Sequence, residues 1–485
     1  MLKWLENIHK RILFTGTMLV TSLIASAQQD YYDQLPDLGS QAANYLGEYE
    51  AAKLGKAFIR QSRYQTDYIY DPELVAYIND LGNELLAASR HADKQYHFYL
   101  IDNNVINAFA VPGGHIALHS AILTKSETES GLASVIAHEI SHVTQRHIAR
   151  KLESSRFDSI LALGALLAAA AAGGGDAAQA AFSVANAGIL DRQLRYSRSY
   201  EAEADSLGLR LMSKAGFDPA AMPIFFKRLL DESRLNQSYA PEFLRSHPLT
   251  INRIAETGQR VKQYATPPER DQSRFKLMQA KATASFSSNL ENTRDLFKNQ
   301  IEAGDNSLAT HYGYALALSE NNQFDLAATE FDQLAKTYPD NITIALSRAD
   351  NELERENIEI GLKQLETLFN RERARGNYLI DIYYANALVL TDQNETAIPI
   401  IRSAIANSNA EPYLHILLSR AYSETGETMR SYQSRAEYHY LQGNYEFALR
   451  QLKRALDFAK TDYDIARLEA RVDDVDFEIA ELRKL

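Results

Sequence analysis

The 485-residue chain contains no cysteine. Disulfides, zinc–thiolate centres and thiol catalysis are therefore excluded, and stability has to come largely from burial of a core. Basic residues are not in excess: 51 Lys and Arg stand against 63 Asp and Glu, a formal net charge of -12. The cationic footprint that nucleic-acid binding usually leaves is missing. Long apolar runs are scarce as well, since the stretches Ile12–Ala25 and Leu161–Ala172 are both too short to span a bilayer comfortably. With 45% hydrophobic and 24% charged residues and a mean hydropathy of -0.33, the composition is that of an ordinary soluble globular protein. The length allows roughly two to four domains.

What is present begins with an export signal. Lys3, Lys10 and Arg11 precede the first apolar run, and Ala25-Ser26-Ala27 fits an A-x-A cleavage site, so residues 1–27 read as a signal peptide with a mature start at Gln28. The alternative is an uncleaved anchor; no cysteine follows the run, so lipid attachment there is excluded. A cysteine-free exported chain of this size suits a bacterial periplasm.

The mature chain divides by pattern. Residues 28–266 read as one domain with a small sheet. Asp71-Pro72-Glu73 opens a helix with proline in its first turn. Tyr96–Ile101 reads as a strand, and Gly113-Gly114 as a hairpin turn leading into Ile116–His119. A helix beginning near Ser126, with Ser126 and Glu129 as a capping box, carries Leu132, Val135, Ile136, Ile140 and Val143 at helical spacing. Residues 157–190, with Gly173-Gly174-Gly175 at their centre, fit an Ala-rich helical hairpin, a hydrophobic lid or a membrane-touching element. Residues 267–271 read as a linker. From 272 to 485 the pattern is helix–turn–helix. Ala327, Phe331 and Pro339 have the spacing of the second helix of a tetratricopeptide repeat, and Ala397, Ile401, Ala404 and Gly443-Asn444-Tyr445 with Ala448, Leu452, Ala455 fit the same frame. The fold class is thus mainly α: an α+β domain with a small sheet, followed by an all-α tetratricopeptide-repeat solenoid.

The chemistry lies in Ala137-His138-Glu139-Ile140-Ser141-His142, an H-E-x-x-H motif inside the helical pattern. Residues four apart share a helix face, so His138 and His142 can offer two imidazoles to one Zn2+ ion, with Glu139 placed to take a proton from the attacking water. A third ligand is needed. Glu201 and Asp205 are four apart on a later helix; one can bind the metal while the other holds a ligating histidine. Glu203 points to another side and reads as surface or auxiliary. His138, His142 and Glu201 would leave a fourth position open for catalysis. His247, Arg198 and Arg253 are candidates to stabilise the oxyanion. His147, five residues after His142, reads as solvated or as an outer group, and His115 and His119 fall in no ligand pattern.

These segments, with Asn107-Ala108-Phe109-Ala110-Val111-Pro112-Gly113-Gly114 upstream and Ser246-His247-Pro248-Leu249-Thr250 downstream, resemble the HtpX/CAAX-protease superfamily of zinc metallopeptidases, in particular its periplasmic, repeat-bearing branch. The resemblance covers nearly the whole mature chain. It implies one Zn2+ held by His138, His142 and Glu201, catalytic Glu139, Asp205 beside the ligands, and His247 as a regulatory zinc ligand that keeps the enzyme latent. Read from residues alone, His247 before Pro248 is an extended loop position that suits a reaching ligand and equally a plain surface histidine. The resemblance also implies protease and chaperone-like action on outer-membrane β-barrel precursors at the barrel-assembly machinery, with peripheral contact to the outer membrane and no nucleic acid. The alternative is a chaperone or scaffold acting through its repeats, with the protease mostly silent. An intact Glu139 favours an enzyme.

Overall fold

A computed structural model describes residues 46–63, 66–155, 198–235, 242–372, 375–407 and 412–482. The expected signal peptide and the whole of the Ala-rich segment 157–190 lie outside these residues. Among the described residues no helix is long and apolar enough to cross a membrane. From Glu48 onward the chain forms a single unit.

Helix α1 (Glu48–Ser62) is followed by α2 (Pro72–Ala87). Asp71 caps α2 by accepting the Leu74 N–H at 2.9 Å, and Pro72 supplies the first turn, where its missing N–H costs nothing. Three strands follow: β1 (His97–Ile101), β2 (Ala108–Val111) and β3 (His115–His119), in the order β1-β3-β2. β3 pairs parallel with β1 and antiparallel with β2. The β2–β3 turn passes through Gly113 and Gly114, both at φ 85, a backbone region that side chains rarely adopt.

After α3 (Ser120–Lys125) comes the motif helix α4 (Glu129–Thr144), buried from Glu129 through His142. Its cap differs from the expected capping box. Thr128 accepts the Gly131 N–H, while the Ser126 hydroxyl donates to the Ile122 carbonyl and closes α3. Glu129 is consequently free to accept from Tyr77 and Arg270. The remaining described helices of this part are α5 (His147–Ser155), α6 (Arg198–Lys214), α7 (Ala221–Leu235), α8 (Glu242–Ser246) and α9 (Ile251–Val261). α6 packs along α4 where Gly208 leaves room: a Cβ there would meet Met222 at 2.9 Å and the His138 backbone nitrogen at 3.4 Å.

Residues 265–272 carry no regular structure, and the helices α10 (Ser273–Ser285), α11 (Leu290–Glu302), α12 (Leu308–Glu320), α13 (Phe324–Thr337), α14 (Ile342–Glu354), α15 (Ile358–Glu372), α16 (Tyr378–Leu390), α17 (Asn394–Asn407), α18 (Pro412–Glu424), α19 (Thr428–Leu441), α20 (Tyr445–Leu456) and α21 (Asp462–Leu482) follow. Helices α10, α12, α14, α16 and α18 begin 34 to 36 residues apart, the period of a tetratricopeptide-type solenoid. Ala327, Phe331, Ala397, Ile401, Ala404, Ala448, Leu452 and Ala455 are all buried between paired helices.

One hydrophobic core runs from Ile69 to Ile344, so it includes α10 and the first repeats along with the sheet and α4. Phe275 and Met278 of α10 are in it together with Leu132 of α4. Lys281, also on α10, is buried with its Nζ 2.6 Å from Glu73 and 2.9 Å from Asp71 at the start of α2. At the other end of the array, Lys53 of α1 pairs with Glu481 at 2.6 Å, Arg63 donates to the Leu441 carbonyl, and Arg60 lies over the Tyr445 ring.

Candidate metal centre

Helix geometry brings His138 and His142 to one face of α4, their Nε2 atoms 3.0 Å apart. Glu201, in the first turn of α6, faces them from across the α4–α6 contact: its Oε2 lies 3.5 Å from His138 Nε2 and its Oε1 3.5 Å from His142 Nε2. His247, just after α8, brings its Nδ1 to 3.3 Å from His138 Nε2 and 3.2 Å from Glu201 Oε1. All four side chains are buried, with donor atoms mutually within 4.8 Å.

These separations test the fit of a metal. Four ligands bound to zinc at about 2.0–2.1 Å in a tetrahedron stand about 3.3 Å from one another. The five distances above, 3.0 to 3.5 Å, fall around that edge length. A three-nitrogen, one-oxygen donor set of this kind is what zinc accepts. Glu139 stands next to it, fully buried, with His247 Nε2 3.4 Å from its Oε1, and among the described residues no other side chain donates to its carboxylate. A buried carboxylate with so few donors around it is costly unless a cation or a reacting group is its intended neighbour.

The electrostatics follow from this crowding. Burial raises the Glu139 carboxyl, opposed by His247 and His138. Burial alone would depress His138, but the carboxylates of Asp205 and Glu201 outweigh it and lift the imidazole to about 9. His142 is driven by burial well below its usual value. Glu201 would be raised by burial, yet His247, His138 and His142 hold it well below the carboxylate range. A cluster that retains a proton on one imidazole while its carboxylate stays charged is one in which a dication can replace that proton.

Asp205 faces His138 Nδ1 at 3.0 Å, the position from which a carboxylate orients a ligating histidine. Arg253 then ties the carboxylates together. Its Nε and one terminal nitrogen reach Asp205 at 2.9 and 2.7 Å, while the other terminal nitrogen lies 2.8 Å from Glu201 and donates to the Pro248 carbonyl at 3.0 Å. Of the three groups considered for an oxyanion, Arg253 is thus fully engaged with carboxylates, His247 is in the donor cluster, and Arg198 is exposed at the start of α6.

Of the two readings of His147, solvated or outer group, the geometry fits the second: it is buried, its Nδ1 2.8 Å from His142 Nδ1, because the chain leaves α4 at Gln145 and Arg146 takes a left-handed φ of 53 before α5 begins. Burial pushes His147 down to about 4. Its Nε2 lies 3.3 Å from Glu203, which also accepts from Arg150 at 2.9 Å. His119 is buried against the Val105 carbonyl and His115 against the Tyr99 hydroxyl, both away from the four donors.

The description "Peptidase family M48" fits residues 72–261. The chain is 35% identical over 469 residues to "Putative beta-barrel assembly-enhancing protease" of Vibrio cholerae, and 33% identical over 476 residues to "Beta-barrel assembly-enhancing protease" of Escherichia coli, with 96% of both chains covered in each case. A shorter match, 34% over 178 residues, reaches "Mitochondrial metalloendopeptidase OMA1" of Schizosaccharomyces pombe, covering 37% of this chain and 50% of that one.

Proposed function

The chain belongs to peptidase family M48 and is a zinc metalloendopeptidase, and from that premise we propose that it assists and polices the assembly of outer-membrane β-barrel proteins in the periplasm. In this reading it degrades stalled or misfolded barrel precursors and acts on others as a chaperone at the barrel-assembly machinery. The cover of 96% of relatives whose names carry barrel assembly supports it. We assign residues 28–266 to catalysis, 272–485 to client and partner recruitment, and 267–271 to the connection between them.

For the site, we assign His138, His142 and Glu201 as the zinc ligands, with His247 as a fourth, regulatory ligand. The observation that carries this is the set of donor distances, 3.0 to 3.5 Å, around the tetrahedral edge for zinc. Bound zinc supplies Lewis acidity, polarising the scissile carbonyl and making water a nucleophile near neutral pH. Glu139 is the general base: its carboxylate takes the proton of the attacking water and returns it to the leaving amine. Burial raises its basicity toward that task. Asp205 and Arg253 keep His138 and Glu201 oriented. The test is Glu139→Gln, expected to abolish cleavage of an unfolded barrel precursor while one zinc per chain is retained. Cleavage at the wild-type rate would refute the assignment.

A second reading has its own observation. His247 Nδ1 lies 3.3 Å from His138 Nε2, the separation a fourth ligand would have, so a chaperone or scaffold role through the repeats, with the protease largely latent, fits the same geometry. If Glu139→Gln sustains outer-membrane integrity as well as wild type, that reading carries the function.

A further inference from the structure

His142 is held from behind by groups that neither the motif nor the ligand set includes. On an uninterrupted helix, residues five apart point about 140° away from each other. The left-handed turn at Arg146 cancels that divergence and returns the His147 ring edge-on to His142, centroids 4.8 Å apart, with the two Nδ1 atoms at 2.8 Å. His147 is fully buried, and Tyr200 of α6 stacks on it at 4.7 Å. Arg150 of α5 lies over Tyr200 at 4.7 Å and donates to Glu203, which faces His147 Nε2 at 3.3 Å.

Two imidazole nitrogens at that distance must share one proton, since two lone pairs or two N–H groups would repel. Which ring carries it is decided at the far end of the chain. A carboxylate only accepts, so Glu203 requires the proton of His147 to sit on Nε2. His147 Nδ1 is then a lone pair, His142 Nδ1 must donate to it, and the His142 Nε2 lone pair is left facing the donor cluster. The opposite arrangement would point an N–H of His142 into that cluster and block a metal.

We propose that His147 and Glu203 are positioning residues that lock the metal-binding tautomer of His142. The proposal rests on His142 being a zinc ligand. α6 then holds this arm of the centre from two sides, with Glu201 beside the His142 Nε2 and Glu203 acting through His147 on Nδ1.

The test uses the full chain. Zinc affinity is measured by competition with a chromophoric chelator, together with the visible spectrum of the cobalt(II)-substituted protein and the melting temperature of the metal-free form. Glu203→Gln can donate to His147 and reverse both tautomers, and His147→Phe keeps the stack on Tyr200 but cannot accept. Each is expected to weaken zinc binding by about 10–100-fold and shift the cobalt spectrum, with metal-free melting unchanged. Glu203→Asp is expected to restore near-wild-type affinity. Wild-type affinity in both Glu203→Gln and His147→Phe, with the ion lost in His142→Ala, overturns the relay alone. Zinc retained undiminished in His142→Ala overturns the ligand assignment beneath it. Weakened binding matched by a lowered metal-free melting temperature overturns the positioning role in favour of packing.

Discussion

Replacing His247 by alanine is expected to switch the protease on. The imidazole closes the site through Nδ1, at 3.2 Å from Glu201 and 3.3 Å from His138, and through Nε2, at 3.4 Å from Glu139. Its ring also stacks on Phe243 at 4.7 Å. A hydrogen bond to a charged partner contributes about 1.5–3 kcal/mol net. If that is the margin favouring the closed state, the open fraction is about one in 10 to one in 150, and apparent catalytic efficiency is reduced by the same factor. His247→Ala should therefore raise kcat/KM by about one to two orders of magnitude. The assay is the initial rate on a quenched unfolded substrate below KM, with zinc per chain measured on the same sample and self-cleavage followed on gels. A Glu139→Gln, His247→Ala double variant should be inert, which assigns the gain to this site. A zinc-replete His247→Ala enzyme with unchanged or lower kcat/KM would refute the latch.

Metal uptake should be coupled to protons. His138 holds its proton up to about 9 in the metal-free cluster, so zinc binding near pH 7 should release it, and calorimetry in buffers of different ionisation enthalpy should count it. Because the raised imidazole stabilises the metal-free fold fully below 6.5 and ceases to as pH passes 9, metal-free melting should fall across that window relative to the zinc form. Lys281→Met leaves Glu73 buried without its cation and should cost about 3–5 kcal/mol, read in denaturant unfolding. A fragment ending at residue 271 lacks Phe275 and Met278 from the shared core and should aggregate, whereas one ending at 305 should stay soluble; equal solubility would show that α10 is dispensable to the peptidase part.

What the sequence revealed about the site was whatever helix periodicity controls. His138 and His142, or Glu201 and Asp205, share a face because they are four apart on a helix, and that spacing is local. The repeat helices were legible for the same reason. For His147 the sequence left solvated and outer group side by side, because its position depends on Arg146 adopting a left-handed backbone with no glycine to announce it. Arg253 was visible as a charge but not as a clamp, since its partners lie 48 and 52 positions away and meet it only through the packing of α9 on α6. The start of α4 misled because Ser126 and Glu129 mimic a capping box while Thr128 does the capping. Nothing in the local sequence marks Lys281, whose burial against α2 comes only from tertiary packing.

The repeat array is fastened to the peptidase part at both ends, and the two fastenings are unequal. The first, α10, is set into a hydrophobic core with a buried lysine between two carboxylates. The second consists of polar and cation–aromatic contacts from α1 and the residue that follows it: Lys53 to Glu481, Arg63 to Leu441, Arg60 to Tyr445. A beam supported this way does not swing at its connector. Load applied along the array strains the weaker support first, so high salt or a competing polyanion should free the α21 end while α10 stays seated. Any widening of the space between repeats and peptidase therefore has its pivot at α10, a short distance in sequence from the metal centre, and its release point two hundred residues later.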